Sequence, residues 1–320
     1  MSRGKVINNR NISQGKSIRS VLVQQKWLII MSVPMLCYVL LFNYAPMWGW
    51  ITAFQLYSPN PDKGLINSPW VGTDHFKWLF SRPDFWQSVI NTLGMSVINL
   101  VFGTVSAILL AVLLNEVRWK AFKRFVQTFT YLPHFLSMII VVSMAQNIFD
   151  VGGPVNRLLT GLGIVDTDVI FLGKPEYFWW LQGVINVWKE VGWSTIIYIT
   201  AMTSIDPCLY EAASIDGAGR FQRILHVTLP GIRSTFVILL IMNIGHLMES
   251  GFEIPYLLGN VLTENRSRNL DVYIMDYSMG LVEPNLGRGT AIGIFKSVVA
   301  IILLFGANFI SSRLGEDSLI

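Results

Sequence analysis

The sequence is poor in charged residues. Asp, Glu, Lys and Arg make up 14% of its 320 residues, whereas a soluble domain carries about a quarter. Apolar residues make up 52% of the chain, so the missing charge calls for a nonaqueous solvent, and lipid provides one. This balance argues against an ordinary soluble domain and predicts an integral membrane protein.

Several motifs of enzymes and metal sites are also missing. There is no G-x-x-x-x-G-K-[ST] phosphate loop, so no segment is recognisable as ATP-hydrolysing machinery, and H-E-x-x-H and G-x-S-x-G are absent as well. Cys37 and Cys208 are far apart and indicate neither a disulfide framework nor a zinc site. The four histidines, scattered without a metal-ligand spacing, are His75, His134, His226 and His246. The sequence therefore predicts no catalysis, no bound metal and no nucleic acid partner for this chain.

Six apolar stretches are long enough to cross a bilayer, which takes roughly 20 residues of helix. They cover approximately residues 27–50, 85–114, 125–148, 178–202, 235–258 and 290–310. No small-residue cleavage site follows the first stretch, so it is not interpreted as a removed signal peptide. The predicted fold is an all-α bundle of six transmembrane helices, interrupted in places by proline.

The distribution of Lys and Arg predicts the orientation of this bundle. Fourteen of these residues fall on the side that contains residues 1–26, and eight fall on the other side. The more basic side is expected to be cytoplasmic, so both termini lie inside. The predicted organisation is a basic segment 1–26, a transmembrane domain 27–315 and a tail 316–320. Long external loops are expected at about 55–84, 149–177 and 259–289, and loops of that length are usually functional or partly structured.

Residues 206–230 form a candidate docking hairpin on the cytoplasmic side. Asp206 followed by Pro207 is an N-cap and first-turn pair that starts a helix. Asp216 followed by Gly217 predicts its end, because glycine readily adopts the positive φ of a helix C-terminus. A second short helix is expected from Phe221 onward. Such a hairpin is too polar for lipid and is suited to a groove of a partner protein.

This segment resembles the signature of ABC importer permeases: Glu-Ala-Ala, a glycine, and a closing Ile-x-Leu-Pro. The matching residues are Glu211, Ala212, Ala213, Asp216, Gly217, Ala218, Leu229 and Pro230. Val227 stands where the family usually has Ile, which keeps the β-branched apolar character. The resemblance implies that Glu211 contacts a separate ATPase subunit and that Gly217 allows the turn.

Three further segments, 34–44, 69–72 and 292–297, look like those of carbohydrate-uptake permeases. The branch they resemble imports oligosaccharides, including pectin- and alginate-derived chains. The resemblance implies a bacterial inner-membrane assembly with a second permease of different sequence, two copies of an ABC ATPase and an external solute-binding protein. ATP and Mg would be held by the ATPase, and this chain would hold no cofactor.

Polar residues within the apolar stretches are candidates for the sugar path, because ionisable groups at membrane depth are costly and usually face a cavity or a partner. Asn186, Lys189 and Trp193 share one helical face by their spacing, and a second series falls close to one face of the fifth stretch. The second series is Asn243, His246, Glu249 and Glu253. In the alternative interpretation, Lys189 pairs with a glutamate from a neighbouring helix and only joins helices, and Glu253 lies at the external interface.

Two other classes of protein compete with this interpretation. In an ion-coupled secondary transporter, Glu249 and Glu253 would bind protons or sodium. A membrane enzyme acting on lipid-linked sugars would need a convergent acid, base or metal cluster, and the sequence shows none. The Glu-Ala-Ala hairpin, for which a secondary transporter has no need, and the lack of a detectable inverted repeat argue against the first of these classes.

Overall fold

The computed structural model describes residues 25–57, 64–65, 67–280 and 284–313. Most of the predicted basic segment 1–26 and the whole predicted tail 316–320 lie outside the described residues. The chain divides into two units, Met1–Ile51 and Thr52–Ile320.

The first unit carries one continuous helical segment that runs just past its boundary. It begins as α1, Lys26–Val39, passes through a π turn at Leu40–Tyr44 and continues as a 3-10 helix over Ala45–Phe54. The change of helix type follows Pro34, which lies inside α1 and removes a backbone donor. No residue of α1 is buried, so its apolar surface is available to lipid or to another subunit.

The second unit is helical throughout its described part. Its helices are α2 Asp74–Phe80, α3 Pro83–Glu116, α4 Lys120–Tyr131, α5 Met138–Phe149, α6 Pro154–Gly161, α7 Pro175–Thr203, α8 Pro207–Ile215, α9 Arg220–Arg223, α10 Leu229–Gly231, α11 Arg233–Gly245, α12 Glu253–Leu258, α13 Glu264–Ser267, α14 Leu270–Met279 and α15 Leu286–Arg313. A 3-10 turn at Leu132–Phe135 separates α4 from α5, and a π turn at Ile224–Thr228 separates α9 from α10. Strand pairing in the described residues is limited to one antiparallel bridge between Gln55 and Trp70. The all-α fold class is confirmed.

Helices α3 and α7 pack along most of their length and form the centre of the second unit. Gly94 lies against the ring of Trp179, and Gly183 lies against Ile98, so that an added Cβ at either glycine would clash. Residue numbers rise together along both helices at these contacts, which means that α3 and α7 run parallel. Small residues at such positions allow two helices to approach closely in a membrane.

Two of the predicted spans are broken. The third, expected at about 125–148, is divided by the 3-10 turn that contains Pro133. The fifth, expected at about 235–258, ends as a helix at Gly245 and resumes as the short α12 at Glu253. Gly251, with φ of +87°, lies in this second break, and such a backbone is readily adopted only by glycine.

The number of spans stays a prediction. In the described residues, four helical segments are long and apolar enough to cross a membrane: Lys26–Phe54, Pro83–Glu116, Met138–Gly161 and Leu286–Arg313. A fifth is possible if Arg220–Gly231 and Arg233–Gly245, bent by 56°, form one span. Helix α7 has the length, at 29 residues, but its middle is more polar because Lys189 and Glu190 lie there.

The segments predicted as external loops contain short helices. Helix α2 lies in 55–84, α6 lies in 149–177, and α13 and α14 lie in 259–289. Helix α14 packs on α15, where Tyr273 and Ile292 are fully buried. Lys296 of α15 forms an ion pair with Asp271 of α14, which ties this segment to α15.

Candidate functional site

A cavity of about 380 Å³ lies between α3, α7, α11 and the break that follows α11. Its wall from α7 includes Asn186, Glu190 and Ser194, which recur every fourth residue and therefore share one helical face. The wall from α3 is built from small and polar residues, among them Ser96, Asn99 and Gly103. Hydroxyl, amide and carboxylate groups on one wall suit a ligand rich in hydrogen-bonding groups.

Four of the seven predicted path residues line this cavity and three do not. The four are Asn186, Asn243, His246 and Glu249. Lys189, Trp193 and Glu253 are absent from its lining. The position of each follows from the helices: Asn186 belongs to the face of α7 that opposes α3, whereas Lys189 and Trp193 belong to the face that opposes the 3-10 turn between α4 and α5.

The expected single face for Asn243, His246, Glu249 and Glu253 is wrong, because α11 ends before three of the four. The chain leaves the helix after Gly245, and this brings His246 and Glu249 together at the cavity. Nδ1 of His246 lies 2.9 Å from a carboxylate oxygen of Glu249. Glu253 starts the separate helix α12, where it is displaced from the cavity.

Lys189 is buried, which is unusual for a lysine. It lies near the middle of α7. Its Nζ donates to the backbone oxygen of His134 at 2.8 Å and lies 3.3 Å from a carboxylate oxygen of Glu190. The other carboxylate oxygen of Glu190 lies 2.8 Å from Nδ1 of His134. The lysine thus joins α7 to the 3-10 turn, as the alternative interpretation proposed, although its glutamate partner is on the same helix.

Glu190 also lines the cavity, but it is not among the seven path residues predicted from the sequence. A signal for it was present: Glu190 follows Asn186 by four positions, and a spacing of four keeps two side chains on one helical face. Trp193 is predicted as a path residue because it follows Asn186 by seven positions. Its ring instead stacks on that of His134, with centroids 4.7 Å apart and planes 7° from parallel.

Three side chains close to this wall have buried polar atoms without a partner. They are Oγ of Ser96, Oδ1 of Asn99, and both amide atoms of Gln182. Ser96 and Asn99 line the cavity, and Gln182 lies one turn before Asn186 on α7. Buried polar groups usually have a partner, so these three side chains mark a polar part of the contact between α3 and α7 in the described residues.

The first arm of the hairpin at 206–230 has the predicted local structure, whereas the second arm begins as the four-residue helix α9 and continues as a π turn. Asp206 accepts a hydrogen bond from the backbone nitrogen of Cys208 at 2.9 Å, as an N-cap does. Helix α8 ends at Ile215, and Gly217 takes a φ of +77°. Hydroxyls of Tyr210 and Thr228 lie 3.0 Å apart and join the two arms.

The predicted coupling residues lie on α8, at the turn that follows it, and at the end of the hairpin. Glu211 and Ala212 are exposed on α8, and Asp216 and Gly217 are exposed at its end. The half-buried members are Ala213, Ala218 and Leu229, and Pro230 is exposed. Large apolar side chains are also exposed there, and those most open to solvent are Ile215 at 86% and Phe221 at 76%.

Residues 100–316 match the family described as binding-protein-dependent transport system inner membrane component. The chain belongs to this family. As a multi-pass inner-membrane permease, it is a transport subunit rather than an enzyme, and it acts with another permease, an ATPase and a solute-binding protein. An ion-coupled secondary transporter is not favoured.

Relatives of the permease support this assignment over nearly the whole chain. It is 42% identical over 307 residues to protein LplB of Bacillus subtilis, covering 96% of this chain and 95% of that protein. It is 44% identical over 299 residues to the polygalacturonan/rhamnogalacturonan transport system permease protein YteP of the same organism, covering 93% and 91%.

Solved structures show the same fold. The permease matches a chain of a bacterial ABC transporter involved in the import of the acidic polysaccharide alginate, with a TM-score of 0.82, 37% identity, and coverage of 93% of this chain and 99% of that chain. It also matches a chain of a bacterial alginate ABC transporter in complex with an alginate pentasaccharide-bound periplasmic protein. There the TM-score is 0.85, the identity 35%, and the coverage 95% and 100%.

Proposed function

We propose that this chain is the permease subunit of an ABC importer that moves an oligosaccharide inward, and that uronate-containing fragments belong to its substrates. The sugar arrives from an external solute-binding protein and passes through the cavity between α3, α7 and α11. ATP and Mg are bound by a separate ATPase, which drives the cycle through the hairpin at 206–230.

The substrate class rests on relatives and on the cavity together. YteP is named for polygalacturonan and rhamnogalacturonan transport, and one matched structure belongs to a transporter involved in the import of alginate; these are acidic polysaccharides. In this chain the cavity wall supplies amides, hydroxyls and carboxylates, the groups that bind sugar hydroxyls. Among the described lining residues, only His246 can carry a positive charge, so a uronate group would meet His246 or the second permease.

The proposed coupling role rests on a pair of exposed apolar residues on the hairpin. Ile215 and Phe221 flank the turn at Gly217 and are more than three-quarters exposed. Exposed apolar side chains on a polar helical hairpin are typical of an interface with a groove-bearing partner. Glu211 lies on the same helix and is exposed, so it is available to a basic group of the ATPase.

The remaining parts of the proposal concern the assembly. The second permease is a different chain, the ATPase is present in two copies, and both termini of this chain lie in the cytoplasm. The excess of Lys and Arg in the predicted cytoplasmic segments supports this orientation.

The assembly is tested by affinity purification of the C-terminally tagged chain from native membranes in mild detergent, with mass spectrometry of the proteins that follow it. We expect an ATPase with a phosphate loop and a second permease. Glu211→Arg is expected to lose the ATPase, whereas Glu176→Arg, an exposed carboxylate in the first turn of α7, retains it.

Recovery of the chain alone, even after cross-linking, contradicts the proposal. The purified assembly is then reconstituted with its binding protein, and ATP turnover is measured with neutral and uronate oligosaccharides of equal length. Stimulation by uronate fragments supports the proposed sugar class. Stimulation by neutral sugars alone would support an oligosaccharide importer but contradict uronate fragments as substrates. If no oligosaccharide stimulates ATP turnover, the proposed sugar transport itself is contradicted.

A further inference from the structure

One turn of α7 forms an unusually polar contact with the 3-10 turn between α4 and α5. On the α7 side the contact is made by Lys189, Glu190 and Trp193, and on the other side by His134. A lysine buried within a long apolar region is costly unless it is paired and hydrogen-bonded. Such a cost indicates a specific role for the contact.

The backbones are also in close contact there. At Gly192, between the polar residues, an added Cβ would clash with the backbone oxygen of Thr130 at the end of α4. Pro133 interrupts the helix one turn later, so backbone oxygens near the break need partners outside their own helix. Lys189 supplies one of them by donating to the oxygen of His134 at 2.8 Å.

Glu190 connects this contact to the cavity. Glu190 is one of the residues that line the cavity, and its side chain is 36% exposed, so it is accessible to a ligand there. Its carboxylate lies 2.8 Å from Nδ1 of His134 and 3.3 Å from Nζ of Lys189. A hydroxyl that donates to Glu190 therefore competes directly with the groups that hold the 3-10 turn.

We propose that Lys189, Glu190 and His134 form a polar clamp that couples occupancy of the sugar cavity to the break between α4 and α5. The inference rests on the proposed function, because it takes the cavity as the sugar path. With the cavity empty, one oxygen of Glu190 pairs with His134 of the 3-10 turn, and the other pairs with Lys189, which itself donates to the backbone oxygen of His134. A bound sugar takes part of this hydrogen bonding, the clamp loosens, and α4 and α5 change their angle. Glu190 touches the sugar, whereas Lys189 and His134 are positioning residues.

The test measures ATP turnover of the reconstituted assembly, with its binding protein, across a range of oligosaccharide concentrations. Lys189→Met removes the charge while keeping the length of the side chain. His134→Phe keeps a ring that can stack on Trp193 and loses the hydrogen bond to Glu190. For each, we expect the ratio of sugar-stimulated to basal turnover to fall at least about fivefold, the lower range of allosteric coupling.

The concentration dependence distinguishes a clamp from a binding residue. Because Lys189 and His134 compete with the sugar for Glu190, replacing either should leave the sugar concentration for half-maximal stimulation unchanged or lower it, whereas loss of a residue that binds the sugar would raise it. A role in folding alone would instead lower basal and stimulated turnover together. Lys189→Arg, which keeps a cationic donor, is expected to restore part of the ratio. The matched control is Lys174→Met, an exposed lysine just before α7, which should keep the wild-type ratio.

A double-variant comparison completes the test. Lys189→Met and Glu190→Gln act on one link, so their combined effect should be smaller than the product of the two single effects. Wild-type ratios in Lys189→Met and His134→Phe, or fully multiplicative effects in the double variant, overturn the clamp. If Lys189→Met does not assemble, His134→Phe and Glu190→Gln decide the matter. A wild-type assembly without any sugar stimulation would overturn the proposed function instead.

Discussion

Glu249 and Glu253 are one helical turn apart in sequence but have different surroundings. Glu249 lines the cavity and is hydrogen-bonded to His246. Glu253 begins α12 after the break in the fifth predicted span and does not line the cavity. The pair therefore allows a comparison in which the chemical change is the same and the location differs.

We predict that Glu249→Gln raises the sugar concentration needed for half-maximal ATP turnover by roughly tenfold. The reason is that a hydrogen bond to a charged acceptor contributes about 1.5–3 kcal/mol, and 1.4 kcal/mol corresponds to a factor of ten. Glu253→Gln, measured in the same reconstituted assembly, should change this concentration less than twofold, within ±0.5 kcal/mol. Equal effects of both substitutions would place the sugar path elsewhere.

Among the described helices, α8 and α9 form a hairpin that exposes large apolar side chains around its turn. Ile215 is 86% exposed and Phe221 is 76% exposed, although both are large apolar residues. The turn between them depends on Gly217, whose φ of +77° is unfavourable for any residue with a Cβ.

Ile215→Ala and Phe221→Ala are each expected to weaken binding of the ATPase subunit by about 1–2 kcal/mol, the usual effect of truncating an important interface residue. Binding is measured by titrating the purified ATPase onto the permease pair in detergent. Leu158→Ala is the control, because Leu158 is an apolar residue with 62% exposure on α6, in a predicted external segment. Loss of ATPase binding in Leu158→Ala as well would show that the effect is not specific to the hairpin.

Sequence patterns were accurate for this hairpin and less so for the long spans. Local signals, such as Asp206 before Pro207 and Gly217 after Asp216, act within a few residues and were confirmed. The third and fifth spans were read as continuous because apolar composition persists across both breaks. The path of the chain after Pro133 depends on partners such as Lys189, which binds the backbone oxygen of His134, and composition does not reveal those partners.

The orientation of the whole molecule can be tested with a native cysteine. Cys208 is exposed in the first turn of the hairpin, which the charge distribution assigns to the cytoplasm. In Cys37→Ser, expressed without its ATPase, we predict that a membrane-impermeant thiol reagent labels Cys208 only after permeabilisation. A cysteine placed at Leu158 in a Cys37→Ser, Cys208→Ser background should be labelled in intact cells. The reverse pattern would invert the proposed topology.

By itself, the sequence determined that this protein is an all-α membrane permease of the ABC importer class, because low charge, apolar length and the Glu-Ala-Ala hairpin are properties of composition and short-range order. Only the tertiary structure decided which polar residues meet. It directed Asn186 and Glu190 to the cavity, joined Lys189 to His134, and placed Glu249 apart from Glu253. The physical reason is that these outcomes depend on how helices approach one another and where they break, and both depend on contacts between residues distant in the chain.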